Sequence, residues 1–176
     1  TAFQALRRNA VVWAAHQVQA FKPTWSGRYR SVVSLTQNIR GPDDIDQRLI
    51  ALARKHRVPL TSFVLPRVME SHPEALNLLD DLGEVAVLGD PEVDYRALPM
   101  DDQRRLLSAA RDKLTAVTGR APVGFRPPDG GGHSSLTLDA LARAGYRYIS
   151  STDYDRMVPK VLRGHRPVPL LTAPRL

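Results

Sequence analysis

The sequence predicts an α/β fold, a parallel sheet with helices packed outside it. Two observations lead there. From Ser31 onward, short β-branched runs alternate strictly with amphipathic segments of helical period, the order that βαβ units produce. The 176 residues are 43% apolar and 24% charged, the composition of one globular domain and not of a disordered chain. Six recognisable strands make either an open sheet or a barrel of fewer than eight strands. In both, functional side chains collect at the C-terminal strand ends.

The elements follow in order. Thr1 to Gln19 reads as a helix, with Phe3, Leu6, Ala10, Trp13 and Ala14 on one stripe. Phe21 to Gly27 is a connector punctuated by Pro23 and Gly27. Ser31 to Thr36 is the first strand. Pro42-Asp43-Asp44 opens a helix that places Ile45, Leu49, Leu52 and Ala53 on one face. Leu60 to Leu65 is a strand, Ser71 to Leu82 a helix and Glu84 to Leu88 the third strand. After a loop from Gly89 to Leu98, Pro99 stands near the start of the longest helix, where it costs least. Its predicted buried stripe is Leu106, Leu107, Ala110, Leu114 and Val117. Strand Val123 to Arg126, helix Leu136 to Ala144, strand Tyr146 to Ser150 and strand Val168 to Thr172 complete the set. Function is therefore expected in Gln37–Arg40, Pro66–Met69, Leu88–Glu92, Arg126–Gly132 and Ser150–Asp155.

The formal net charge is +7. Such an excess favours acidic partners, or serves solubility alone. There is no cysteine, which excludes disulfides, thiolate catalysis and Cys-based zinc sites. No apolar run reaches the roughly 18 residues of a membrane span, and no secretory leader is visible.

Gly124 to Ser135, GFRPPDGGGHSS, is the most distinctive segment. An arginine ends a strand, two prolines stiffen the exit, and Gly130 to Gly132 permit close backbone approach. Arg126-Pro127-Pro128-Asp129-Gly130 resembles the Arg-x-Pro-x-Gly motif of the polysaccharide deacetylases, the NodB-like carbohydrate esterases. His56 to Pro66 resembles that family's second-strand segment, and Gly145 to Asp155 the strand that ends in its Asp-containing motif. The resemblance runs from about Trp25 to Thr172. It implies a deformed (β/α) barrel over residues 25–176. Residues 1–20 form an extra N-terminal helix, similar in Arg7 to His16 to the end of a preceding domain.

The resemblance also implies a chemistry, metal-dependent removal of acetyl groups from N-acetylated sugars. A metal and a carboxylate base together generate hydroxide and polarise the amide. The chain departs from the family pattern at each of those positions. Thr36-Gln37-Asn38-Ile39-Arg40 stands where the family has Thr-Phe-Asp-Asp-Gly. Asn38 replaces the base, and Ile39 replaces a ligand Asp. Leu88 and Glu92 fall where the family has its two metal-binding histidines, and Thr172 or Ala173 falls where the general-acid His is expected. No two of the five histidines have i, i+4 spacing, and His133, alone in the glycine loop, reads as a surface residue.

Other constellations are weaker. Asp90, Glu92 and Asp94 form an acidic loop without EF-hand spacing. The three glycines lack the Lys-Ser/Thr of a phosphate loop. Ser150 and Ser151 have no His–Asp partners at recognisable spacing. Arg104, Arg105 and Arg111 read as an exposed helix face without the interleaved aromatics of single-strand nucleic-acid binders.

These residues predict a catalytically degenerate deacetylase-like domain, without a resident metal, in a larger cell-envelope protein outside the cytoplasm. It binds carbohydrate or acts as a scaffold. The expected ligand is a polysaccharide, anionic or N-acetylated. Neighbouring domains are further partners, and nucleic acid is not expected. Arg126 and Asp129, Asp153 or Asp155 are the polar contacts, and Trp25, Phe125 and Tyr154 the stacking surfaces. Arg126 is expected to pair with one of the three aspartates because Asn38 is neutral. Ile39 and Leu88 are expected to fill the metal space. The alternatives are an active enzyme with a displaced zinc or other divalent site, and a regulatory domain that binds a partner by charge.

Overall fold

In a computed structural model, residues 34–128 and 134–151 are described in full, and 161–163 and 169–172 by their backbone. The chain divides into two units, Thr1–Val33 and Ser34–Leu176. The predicted N-terminal helix and connector, Trp25, Asp129, the triple glycine, His133, Asp153, Tyr154 and Asp155 lie outside the described residues.

The second unit alternates strand and helix as predicted. Its elements are β1 (Leu35–Ile39), α1 (Gln47–His56), β2 (Leu60–Val64), α2 (Pro66–Met69), α3 (Pro73–Leu82), β3 (Gly83–Leu88), α4 (Met100–Thr118), β4 (Gly124–Arg126), α5 (Ser135–Arg143), β5 (Tyr148–Ile149), β6 (Val161–Arg163) and β7 (Pro169–Thr172). They form a seven-stranded sheet in the order β1-β2-β3-β4-β5-β7-β6. Every pairing is parallel except β6 with β7.

Local signals explain the helix ends. The Asp46 carboxylate accepts from the backbone N–H groups of Arg48 and Leu49 and caps α1. Ser134 and Thr137 form a capping box on α5. Pro66 and Pro73 occupy first-turn positions of α2 and α3, where a missing N–H leaves no bond unmade. Gly119, at φ 68°, closes α4 in the left-handed conformation.

Strand parity divides the side chains between two faces. Ile39, Val64, Val85, Val87, Phe125 and Ile149 join helix residues such as Leu76, Leu107, Leu114 and Leu141 in the main core. Phe63, Leu65, Ala86 and Leu88 form a separate cluster on the opposite face, with Tyr148 packed on it. Gly124 on β4 is required there, because a Cβ at that position would overlap the Tyr148 ring.

The structure corrects four details. β1 extends through Asn38 to Ile39 instead of ending at Thr36, so both residues lie inside a strand. Leu52 is 53% exposed, because Ile50 and Ala53 take the buried face of α1. Leu106 is likewise exposed, and Gln103, Leu107 and Leu114 form the buried stripe of α4. β6 is an antiparallel strand that no apolar pattern had marked.

Candidate functional site

The C-terminal strand ends converge on Arg126. Its backbone carbonyl accepts from Gly89 N–H at 2.8 Å, which ties the end of β4 to the exit of β3. Gly89 permits this approach, since a Cβ there would meet Pro128 at 2.7 Å. The stiff Pro127-Pro128 exit thus rests directly on the neighbouring strand end.

The Arg126 side chain is 3% exposed. Its Nη1 donates to Asn38 Oδ1 at 2.7 Å and its Nη2 to Thr36 Oγ1 at 3.0 Å. Nε and Nη2 both donate to Ser150 Oγ, at 3.2 and 2.9 Å. The guanidinium lies over the Phe63 ring, 3.7 Å from its centroid, a cation–π contact shielded from water. β4 and β1 are three places apart in the sheet, which would be about 14 Å in a flat one. One side chain bridges them, so the sheet is strongly curved, with Arg126 inside the curve.

This arrangement gives Asn38 a defined partner. A neutral amide was expected to release Arg126 to an aspartate; among the described residues, the Asn38 carbonyl accepts from its Nη1 at 2.7 Å. Asp129, Asp153 and Asp155 lie outside the described residues. The pairing also fixes the amide's orientation: a guanidinium has no acceptor, so the oxygen faces it and the NH₂ group is left to donate elsewhere. At the position that the resemblance assigns to the family's base, this chain presents a hydrogen-bond donor.

The metal positions divide. Leu88 is buried on the same face as Asn38, beside Phe63 and Leu65, and fills space there. Ile39 does not. It is fully buried in the helix-facing core with Val64 and Val87, because adjacent strand residues point to opposite faces. Glu92 is exposed on the surface, where Arg67 holds it at 3.0 Å. Arg67 also pairs with Asp90 at 2.6 Å, and Asp94 pairs with Arg96. The acidic loop is thus satisfied by arginines. Among the described residues, no three His, Asp or Glu side chains converge on one point. The donors at the family's metal positions do not fit a transition metal, which needs three or more converging ligands.

Phe125 is also corrected. It is 1% exposed and packs edge-to-face against Tyr95 and Tyr146 in the core, so it offers no surface to a sugar. Arg126 is too buried to act as an open groove floor and instead positions Asn38, Thr36 and Ser150. Arg104 and Arg105 pair with Asp101 and Asp102 one turn away. Arg111 instead donates to the Pro122 carbonyl at 3.0 Å. A cavity of about 170 Å³ opens at the other end of the strands, lined by residues including Asp80, Glu84 and Arg120, away from this cluster.

A curved parallel sheet with an Arg–Pro–Pro exit at its C-terminal edge defines an α/β scaffold of the NodB (β/α)-barrel type. Residues 28–149 match the family model for polysaccharide deacetylase, and the chain belongs to that family. Among solved structures, it is 27% identical to a Mycobacterium smegmatis protein assigned to the polysaccharide deacetylases, over 73% of this chain and 44% of that one, at a TM-score of 0.64. A CE4 family pseudoenzyme from Bacillus anthracis aligns at 20% identity over 66% and 41%, with a TM-score of 0.59. The Streptococcus pyogenes deacetylase PplD aligns at 15% over 94% and 69%, with a TM-score of 0.65. The latter two share the fold. The chain spans less than half the length of the first of these structures. No curated protein sequence matches it significantly.

Proposed function

We propose that this domain is a catalytically degenerate member of the family that binds N-acetylated polysaccharide without hydrolysing it, as a module of a larger protein of the cell envelope. The observation that carries the reading is the Arg126–Asn38 contact at 2.7 Å. The resemblance implies a proton acceptor at this position; Asn38 supplies an amide, and with its oxygen facing Arg126 the NH₂ group is left to donate to a ligand. Such a donor complements an acetamido carbonyl but cannot activate water. Leu88 beside it removes a ligand position, and the resident chemistry needs no metal or other cofactor. The fold has a relative described as a pseudoenzyme, the Bacillus anthracis protein, so loss of activity on this scaffold has a precedent.

The test is titration of N-acetylated oligosaccharides into the protein by calorimetry, with acetate release followed in the same samples. The expected result is saturable binding with no acetate above the blank. Asn38→Ala should weaken binding by about fivefold, the loss of one net hydrogen bond of roughly 1 kcal/mol. Acetate release by the unaltered protein would overturn the reading in favour of an enzyme.

A further inference from the structure

We propose that the outer face of α1 is a docking surface for an anionic polysaccharide, separate from the strand-end cluster. From Gln47 to Arg57 the chain carries Arg48, Arg54, Lys55 and Arg57 and no acidic residue. All four are exposed. None has an ion pair among the described residues, whereas Arg67, Arg105, Lys113 and Arg120 each hold a carboxylate. Arg48 and Lys55 are seven residues apart, two helical turns and about 10 Å along one side. Leu52 lies between them, more than half exposed. Arg48 and Lys55 thus share one row of the helix, with Arg54 about a third of a turn around it and Arg57 at the cap, a cationic surface suited to an extended chain with repeated negative charge.

A second observation is independent of the first. Arg57 has φ 54°, and it is the one non-glycine residue with positive φ among the described residues. It forms the left-handed cap of α1, a position that glycine fills without strain. A cation is thus kept where the backbone favours glycine.

The chemistry of the face narrows the partner. It holds no Phe, Tyr or Trp and a single exposed histidine, His56, so it has no row of platforms for successive nucleobases. A single exposed leucine gives too little apolar area to enter a bilayer. The choice of a polysaccharide rests on the family reading above; the charged surface does not.

The probe is polygalacturonate, with a single-stranded oligonucleotide and phosphatidylglycerol vesicles in parallel. The expected result is polygalacturonate binding that weakens steeply with salt and exceeds binding to the other two. Replacing Arg48, Arg54 and Lys55 by Gln together with Arg57→Gly should weaken it about tenfold or more at low salt. Arg57→Gly alone should bind less tightly while melting no lower than the parent, which a purely structural role for Arg57 would not produce. Unchanged polygalacturonate binding by the fourfold variant would overturn the proposal, as would preference for the oligonucleotide or the vesicles. Asn38→Ala should leave polygalacturonate binding intact, and the fourfold variant should still bind neutral N-acetylated oligosaccharides. Failure at one site is thereby distinguished from failure at the other.

Discussion

Asn38 meets a guanidinium through its carbonyl oxygen, and that contact decides what the residue offers a ligand. Among the described residues, Arg126 binds oxygens of Thr36, Asn38 and Ser150, on two other strand ends at once. A lysine carries the same charge but lacks the planar fork. Arg126→Lys should therefore destabilise the fold by about 1–3 kcal/mol, through lost charge-assisted bonds and unsatisfied partners. Urea unfolding measures it, and a midpoint equal to the parent's would show that the fork organises nothing. Two residue assignments made from the sequence fail for one reason. Ile39 was grouped with Asn38, and Phe125 with Arg126, as neighbours at the site. Side chains adjacent in a strand cannot share a face. Once Asn38 and Arg126 point into the curve, Ile39 and Phe125 must enter the helix layer, where both are found. That parity was legible in the sequence once the strand was known to include both members of each pair.

At the scale of elements, apolar periodicity located α1, α3, α4, α5 and the central strands, because burial on the helix side of a parallel sheet requires that pattern; the single turn of α2, Pro66–Met69, is too short to show a period and was missed. β1 was misplaced because Gln37 and Asn38, between Thr36 and Ile39, are polar. Gln37 bonds to Ser62 at 2.9 Å and Asn38 to Arg126, so hydrogen bonds replace the apolar contacts that betray a strand. The inner face also holds Glu84 on β3, opposite Tyr148 on β5. One Glu84 oxygen is buried without a hydrogen-bond partner. Burial raises the carboxyl above its ordinary value of 4.5, and the nearby Tyr148 and Thr61 hydroxyls offset part of the shift. The folded state therefore holds this proton more tightly than the unfolded chain does. Stability from this group is complete below 4.5 and is lost as pH rises through the higher folded value. Glu84→Gln removes that dependence, so its stability relative to the parent should improve as pH rises from acid to neutral. Thermal melts across that range check it; a difference that does not vary with pH would contradict the assignment.

For the whole molecule, the fold class and the family were legible in the order of segments around the Arg-Pro-Pro exit, and both hold. What the sequence could not show was the curvature that brings β1 and β4 within one side chain of each other. That contact turns the Asn38 amide so that its oxygen faces Arg126 and its NH₂ group is left to donate. The central claim is that this scaffold has exchanged metal chemistry for recognition. Metal stoichiometry tests it most directly: metal-free protein is titrated with zinc and with cobalt, and the bound ion is counted by elemental analysis after gel filtration. The account predicts well under one ion per chain and no acetate released from N-acetylated oligosaccharides at any metal concentration. One tightly held ion per chain together with acetate release would contradict it.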